Sequence, residues 1–137
     1  MSRAVGADHP NGWMAAALSI GALAFLASAT SLGNGFAYDD RWIIAENAHA
    51  HSLRAPWRLF DETYWPNIRG AALYRPLTIL LYATQWTLGR GSPALFHAVN
   101  VGLNVLVAVA VLWLALQCLP RGAAWVAAAL FAVHPVH

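Results

Sequence analysis

The sequence predicts an all-α integral membrane protein with two complete transmembrane helices, a truncated third and, between the first two, a long loop bearing interfacial helices. Of its 137 residues, 59% are hydrophobic and 10% are charged, whereas about a quarter of the residues in a soluble domain are charged. So few charges do not cover a water-facing surface, which argues against a soluble globular enzyme. The eight basic residues are scattered arginines and the net charge is +2, so no nucleic-acid partner is expected.

The first predicted span covers residues 13–32, an uncharged run that follows an amino-terminal tail of residues 1–12. Twenty residues of helix measure about 30 Å, which matches the hydrocarbon thickness of a bilayer. A cleaved signal peptide is the alternative, because Arg3 precedes the run and Ala27-Ser28-Ala29 resembles a cleavage site. The run is longer than the apolar region of most signal peptides, which favours a retained span.

The second predicted span covers residues 93–118, an uncharged run that opens with Pro93 and ends at Cys118. Residues 119–122 contain Pro120 and are predicted to form a short turn. Residues 123–137 are expected to begin a third span, whose apolar helix is too short to cross a bilayer comfortably. The sequence is therefore expected to be the front of a longer polytopic protein.

Residues 33–92, between the two spans, contain all but three of the charged residues and most of the aromatic ones. Aromatic rings favour the headgroup level of a membrane, which predicts an interfacial segment rather than a flexible linker. Residues 76–88 are expected to form an interfacial or re-entrant helix, and residues 52–64 a second surface helix opened by Pro56. One face of the first of these helices would carry Ile79, Tyr82, Ala83 and Trp86.

An acidic pair, Asp39 and Asp40, lies just beyond the first span. Two adjacent carboxylates interact unfavourably, so one can act as a general base while the other holds a cation or a substrate hydroxyl. The pair thus leaves open a divalent cation at this point, although no metal site is predicted. The alternative is a solvated helix terminus, at which Asp39 caps the helix and Asp40 favours its dipole.

Polar residues beside the apolar runs supply further candidates. Arg75 stands immediately before the predicted interfacial helix, where a guanidinium can grip a phosphate with two hydrogen bonds or extend to ordinary lipid headgroups. On the second span His97, Asn100 and Asn104 share one helical face. Such residues line a wet cavity or form hydrogen bonds between helices.

Histidines flank Pro135 as His134 and His137, and a second pair occurs at His49 and His51. Histidine pairs without carboxylate or cysteine partners are weak indications of a metal site. They define a third, less favoured hypothesis of metal handling.

Several short motifs occur along the chain in an order that resembles the amino-terminal part of the transmembrane-and-tetratricopeptide-repeat (TMTC) proteins. These are relatives of the protein O-mannosyltransferases within the GT-C class of polytopic glycosyltransferases. The matching motifs begin after the first apolar span and run to the last residue. They are Tyr38-Asp39-Asp40, Asn47, Trp57, Phe60, Tyr64-Trp65, Tyr74-Arg75-Pro76-Leu77, Gly89, Pro93, Phe96-His97-Ala98-Val99-Asn100 and the segment 129–137.

The resemblance implies transfer of a sugar, expected to be mannose, from a polyprenyl-phosphate donor to a protein hydroxyl outside the cytoplasm. It makes Asp39 the base or acceptor-orienting group, with Asp40 in support, and Arg75 a residue that stabilises the phosphate charge. His97, Asn100, His134 and His137 complete the substrate-binding candidates. Asn104 departs from the family, which often has a histidine there.

The same resemblance implies a topology in a bacterial inner membrane or an endoplasmic-reticulum-type membrane. The tail 1–12 and the turn 119–122 would be cytoplasmic, and the loop 33–92 extracytoplasmic. Arg121 in the turn agrees with the positive-inside rule, whereas six arginines in the loop oppose it. The rule weakens for loops of about 60 residues.

A non-catalytic membrane scaffold or assembly subunit is the alternative function. In that case the loop 33–92 is a partner-binding surface and the acidic pair only caps a helix. Three kinds of partner follow from the enzyme hypothesis: the lipid-linked sugar donor, a protein acceptor and membrane lipid.

Overall fold

A computed structural model describes residues 10–61, 63–65 and 73–134. Four α-helices run through these ranges: α1 (Pro10–Ser28), α2 (Pro76–Gly89), α3 (Pro93–Cys118) and α4 (Arg121–Val133). Short helical turns lie at Ala29–Gly33, Arg41–Ala45, Ala48–His51 and Pro56–Phe60. The described ranges contain no β-strand, so the all-α prediction is confirmed for this part of the chain.

Two helical segments are long and apolar enough to cross a membrane. They cover Gly12–Gly33, which is α1 with the turn that follows it, and Pro93–Cys118, which is α3. Large aliphatic side chains on both remain exposed, for example Leu18 and Leu106, as expected of helices whose outer surface faces lipid. The prediction of two membrane-compatible helices is confirmed.

The chain divides into two compact units. The terminal unit combines Met1–Leu32 with Val99–His137, and the loop unit is Gly33–Ala98.

The terminal unit is held together by small residues between α1 and α4. Ala124, Ala128 and Ala132 recur every four residues on α4 and are buried with Ile20 and Ala24 of α1. Side chains this small let two helix backbones approach closely, so dispersion contacts replace the hydrophobic effect that lipid does not supply.

Helix α4 begins at Arg121, two residues before the predicted start at residue 123. Pro120 has an extended backbone (ψ 150°) and its carbonyl oxygen accepts the Ala124 N–H at 2.9 Å. The helix therefore starts directly after the proline, which leaves Leu119 and Pro120 as the connection to α3.

The loop unit has its own hydrophobic core, built around α2. Ile79 and Ala83 are fully buried on one face of this helix, and Tyr82 and Trp86 pack beside them. These four residues form the face that the sequence predicts. The other buried members of this core are Ile43, Ile44, Ala50, Leu59, Tyr64 and Phe96.

The predicted second surface helix over residues 52–64 is wrong. Its described residues, 52–61 and 63–64, contain a single helical turn, the 3-10 turn over Pro56–Phe60. Asp61 closes this turn by donating its N–H to the Arg58 carbonyl at 3.1 Å. The Tyr64 N–H donates to the carbonyl of Leu73 at 2.8 Å. In a continuing helix the Tyr64 N–H would instead donate to the carbonyl four residues earlier, at Phe60.

Replacing Asn47 with alanine should destabilise the loop unit by about 1 kcal/mol, because a side-chain cap is lost. Asn47 is buried and its Oδ1 accepts the His49 N–H at 3.0 Å at the start of the Ala48–His51 turn. Chemical denaturation of the full chain in detergent measures the free energy of unfolding. Asn34→Ala, a matched change at an exposed position, should leave it unchanged. Equal stability of the Asn47→Ala variant and the parent would contradict the capping role.

Candidate functional site

The acidic pair stands on a strained turn at the beginning of the loop unit. Tyr38, the residue before it, has a φ of 46° and a side chain that is 91% exposed. A left-handed backbone costs a residue with a Cβ about 1–2 kcal/mol. The turn is closed by the Asp40 N–H, which donates to the Ala37 carbonyl at 3.0 Å. It leaves Asp39 exposed and Asp40 half-buried.

The residues after the pair form a π-helical turn over Arg41–Ala45, in which the Glu46 N–H donates to the Arg41 carbonyl five residues earlier at 2.8 Å. π-Helical turns are rare and occur frequently at functional sites. Ile43 and Ile44 on this turn are buried in the loop-unit core. The acidic pair is thereby anchored to packed structure, although Asp39 itself is exposed to solvent.

The alternative in which Asp39 caps a helix and Asp40 favours its dipole stays a prediction, and the structure describes a cap position only for Asp40. This residue occupies the N-cap position of the π-helical turn, and its side chain makes no capping hydrogen bond.

Arg75 is placed by two contacts of different kinds. Its carbonyl accepts the N–H groups of Thr78 and Ile79 at 3.1 and 3.2 Å, which starts α2. Its guanidinium carbon lies 5.2 Å from the centre of the Tyr64 ring, within the range of a cation–π interaction. The backbone and the ring together give the guanidinium a defined place while leaving the side chain exposed.

Tyr82 links the acidic pair with Arg75. Burial raises the pKa of the Tyr82 hydroxyl well above its usual value, and a hydrogen bond with Tyr64 and the negative charge of Asp40 raise that pKa further. The positive charge of Arg75 acts in the opposite direction on the same pKa. Asp40 and Arg75 therefore influence the pKa of the same partly buried phenol within the loop unit.

The sequence did not single out Tyr64 and Tyr82 as site residues. Tyr82 lies on the predicted apolar face of α2, and a hydroxyl on such a face is the signal that would have marked it, because a buried phenol needs a partner.

His97 fastens the segment that leads to the acidic pair. Its Nε2 lies 3.4 Å from the carbonyl oxygen of Gly35, and because a carbonyl only accepts, this nitrogen carries the proton. Beside it, the rings of Phe36 and Phe96 meet edge to face with their centres 5.3 Å apart. The described contact of His97 thus positions the turn.

Asn100 and Asn104, on the same face of α3, belong to the terminal unit. Asn104 Nδ2 donates to Ser28 Oγ at 3.0 Å, so this residue forms a hydrogen bond between α3 and α1. Asn100 is exposed. His134 is exposed just after α4, and its backbone N–H donates to the Phe131 carbonyl at 3.2 Å. His137 lies outside the described residues.

No three His, Cys, Asp or Glu side chains are grouped as metal ligands among the described residues. Mg²⁺ is commonly held by one or two carboxylates together with waters and substrate phosphates. Asp39 and Asp40 fit a cation of that kind only when a substrate supplies further oxygens, and neither side chain has a third protein ligand beside it in the described part.

The fold and the site define a class of protein: a helical protein with two membrane-compatible helices and a loop unit that carries the acidic pair, Arg75 and two tyrosines. The chain is homologous to the TMTC protein O-mannosyl-transferases. It is 37% identical to TMTC1 of Mus musculus over 132 residues, 37% identical to Tmtc2 of Drosophila melanogaster over 122 residues and 32% identical to TMTC4 of Homo sapiens over 141 residues.

These alignments cover 85%, 84% and 89% of the chain and 14%, 13% and 19% of the respective relatives. The chain thus spans less than a fifth of the length of each relative. All three relatives are named protein O-mannosyl-transferases. No protein-family model and no solved structure matches the chain.

The raised pKa of Tyr82 predicts an alkaline loss of stability. An unfolded tyrosine titrates near pH 10, whereas the folded chain keeps Tyr82 neutral to higher pH. The stabilisation is complete below about pH 10 and is lost as the pH rises through the pKa of the folded state. Thermal unfolding measured from pH 8 upward should therefore show a smaller alkaline decrease for Tyr82→Phe than for the parent. The same decrease in both proteins would contradict the assigned environment.

Proposed function

We propose that this chain forms part of a GT-C-type membrane glycosyltransferase that moves a mannose from a polyprenyl-phosphate donor to a hydroxyl group of a protein outside the cytoplasm. The observation that carries the proposal is the placement of the acidic pair, with Asp39 exposed, in the same unit as Arg75, and Asp40 and Arg75 both influence the pKa of Tyr82. Homology to proteins named protein O-mannosyl-transferases supports the same class of reaction.

The proposed chemistry assigns the proton transfer to Asp39. Its exposed carboxylate accepts the proton of the acceptor hydroxyl while the hydroxyl oxygen attacks the anomeric carbon. The bond from that carbon to the phosphate oxygen breaks, and the lipid phosphate leaves with the electron pair. A single carboxylate opposite the leaving group suits an inverting transfer. Asp40, half-buried beside Asp39, orients the acceptor.

Arg75 is assigned to the leaving phosphate. A guanidinium presents parallel N–H donors that match phosphate oxygens, and it keeps its charge at any physiological pH. The Tyr64 ring against which it stacks restricts the guanidinium before substrate arrives, which lowers the entropy lost on binding. His97, Asn100, His134 and His137 are proposed as further substrate contacts.

The proposed topology places the acidic pair outside the cytoplasm in a multi-pass protein. The tail 1–12 and the connection after α3 would be cytoplasmic, and the loop unit would face the donor's sugar. Arg121, at the start of α4, agrees with the positive-inside rule.

Asp39→Asn should lower mannosyl transfer by about 10²–10⁴-fold, the usual contribution of a general base. Membranes from cells that express the native gene are supplied with radiolabelled polyprenyl-phosphate mannose and an acceptor protein, and transfer is counted. Asp61→Asn is the matched control, since Asp61 is an exposed acid of the same unit without a proposed role, and it should retain the parent rate.

Undiminished transfer by Asp39→Asn would overturn the catalytic assignment. A parent that carries out no transfer would favour the scaffold alternative.

Cys118 provides a test of the topology. It is the single cysteine of the chain and lies exposed at the end of α3. A membrane-impermeant maleimide should therefore fail to label it in intact cells and should label it after permeabilisation. Labelling of intact cells would reverse the topology and place the acidic pair in the cytoplasm.

A further inference from the structure

A second polar site lies within the loop unit, formed by residues that have no part in the proposed transfer. A cleft of about 820 Å³ opens between the segment 51–54 and the last turn of α2. Its polar lining consists of His51, Ser52, Arg54, Thr87 and Arg90, with the Trp86 ring as an apolar wall.

The lining carries positive charge and no carboxylate. Arg54 and Arg90 are both exposed, so their guanidinium groups are hydrated and ready for an anionic ligand. Ser52 Oγ accepts the Arg54 N–H at 3.2 Å, and this leaves the serine hydroxyl proton for another acceptor. Two guanidinium groups and a hydroxyl are the donors that suit the several oxygens of a phosphate.

One side of the cleft is held in place by ring stacking. His51 and Trp86 lie parallel, with an interplanar angle of 15° and ring centres 3.6 Å apart. His51 Nε2 also donates to the Ile44 carbonyl at 2.8 Å, which fixes the ring on the core side. The segment that continues to Ser52 and Arg54 is thereby attached to α2 through Trp86.

The other side depends on a strained backbone at the end of α2. Arg90 has a φ of 50° and Gly91 a φ of 77°, so two successive residues are left-handed, and one of them is not glycine. The backbone at Gly91 lies close to the Trp86 indole: a Cβ on this residue would be 3.0 Å from the ring. The left-handed backbone at Arg90 is the C-cap that ends α2, and it costs a residue with a Cβ about 1–2 kcal/mol.

We propose that this cleft binds a phosphate group, with Arg54 and Arg90 as the charged ligands and Ser52 as a hydroxyl donor. The phosphate belongs either to a lipid headgroup or to a soluble molecule, and the recognition chemistry is the same in both cases. The cleft shares no residue with the acidic pair or Arg75, and its binding is measured without any sugar transfer. Its failure is therefore distinguishable from failure of the proposed function.

The test uses the full chain in phosphatidylcholine nanodiscs and two probes. Inorganic phosphate titrated by calorimetry tests the soluble source, and phosphatidic acid incorporated in the discs and followed by its phosphorus NMR shift tests the lipid source. Arg54→Gln should raise the dissociation constant of the bound probe about tenfold, and Arg54→Gln with Arg90→Gln about a hundredfold, because charged hydrogen bonds are lost. Arg54→Lys should fall between the parent and Arg54→Gln, because the charge is kept and the planar donor pair is lost.

Arg41→Gln is the matched control. It removes the same charge from the same unit at a residue that faces Glu46 at 4.0 Å, and it should bind like the parent. Circular dichroism verifies that each variant is folded. If the double variant does not fold, the single variant Arg54→Gln, a change at an exposed residue, decides the outcome.

Weaker binding of inorganic phosphate by the variants supports a soluble ligand, and weaker binding of phosphatidic acid alone supports a lipid headgroup. No binding by the parent, no loss in Arg54→Gln, or an equal loss in Arg41→Gln overturns the proposal.

Discussion

The packing of one face of α2 is the interaction on which the rest of the loop unit depends. Ile79 and Ala83 are completely buried, and Ile43 and Ile44 of the π-helical turn pack into the same core. Burying an aliphatic side chain of this size contributes about 1.5–3 kcal/mol. This apolar packing, together with the contact of Phe36 with the buried Phe96 ring, anchors both sides of the strained turn that carries the acidic pair.

The same core serves two polar regions at different ends of α2. At the beginning of the helix, Tyr64 packs in the core and stacks against Arg75. At its end, Trp86 packs against Phe96, with ring centres 6.5 Å apart, and stacks with His51. One helix thus holds Arg75 at its start and the cleft lined by Arg54 and Arg90 at its end. The neighbouring Gln85 is buried, and neither of its amide atoms has a partner among the described residues.

The long apolar helices and the helix α2 follow from local pattern. The uncharged run 93–118 coincides with α3, since a helix satisfies its own backbone hydrogen bonds in an apolar environment. The face of Ile79, Tyr82, Ala83 and Trp86 follows from the 3.6-residue period. The prediction failed at residues 52–64, because the Tyr64 N–H pairs with the carbonyl of Leu73, a contact that no local pattern contains.

The sequence by itself determined the class of the protein, its apolar helices, and Asp39, Asp40 and Arg75 as candidates, because composition, periodicity and the order of motifs are properties of the linear chain. The tertiary structure decided which groups act together. Asp40 and Arg75 both influence the pKa of Tyr82, Asn104 forms a hydrogen bond with Ser28, and Arg54 lines one cleft with Arg90. The physical reason is that charge, burial and stacking depend on distances in space, and packing of the core sets those distances.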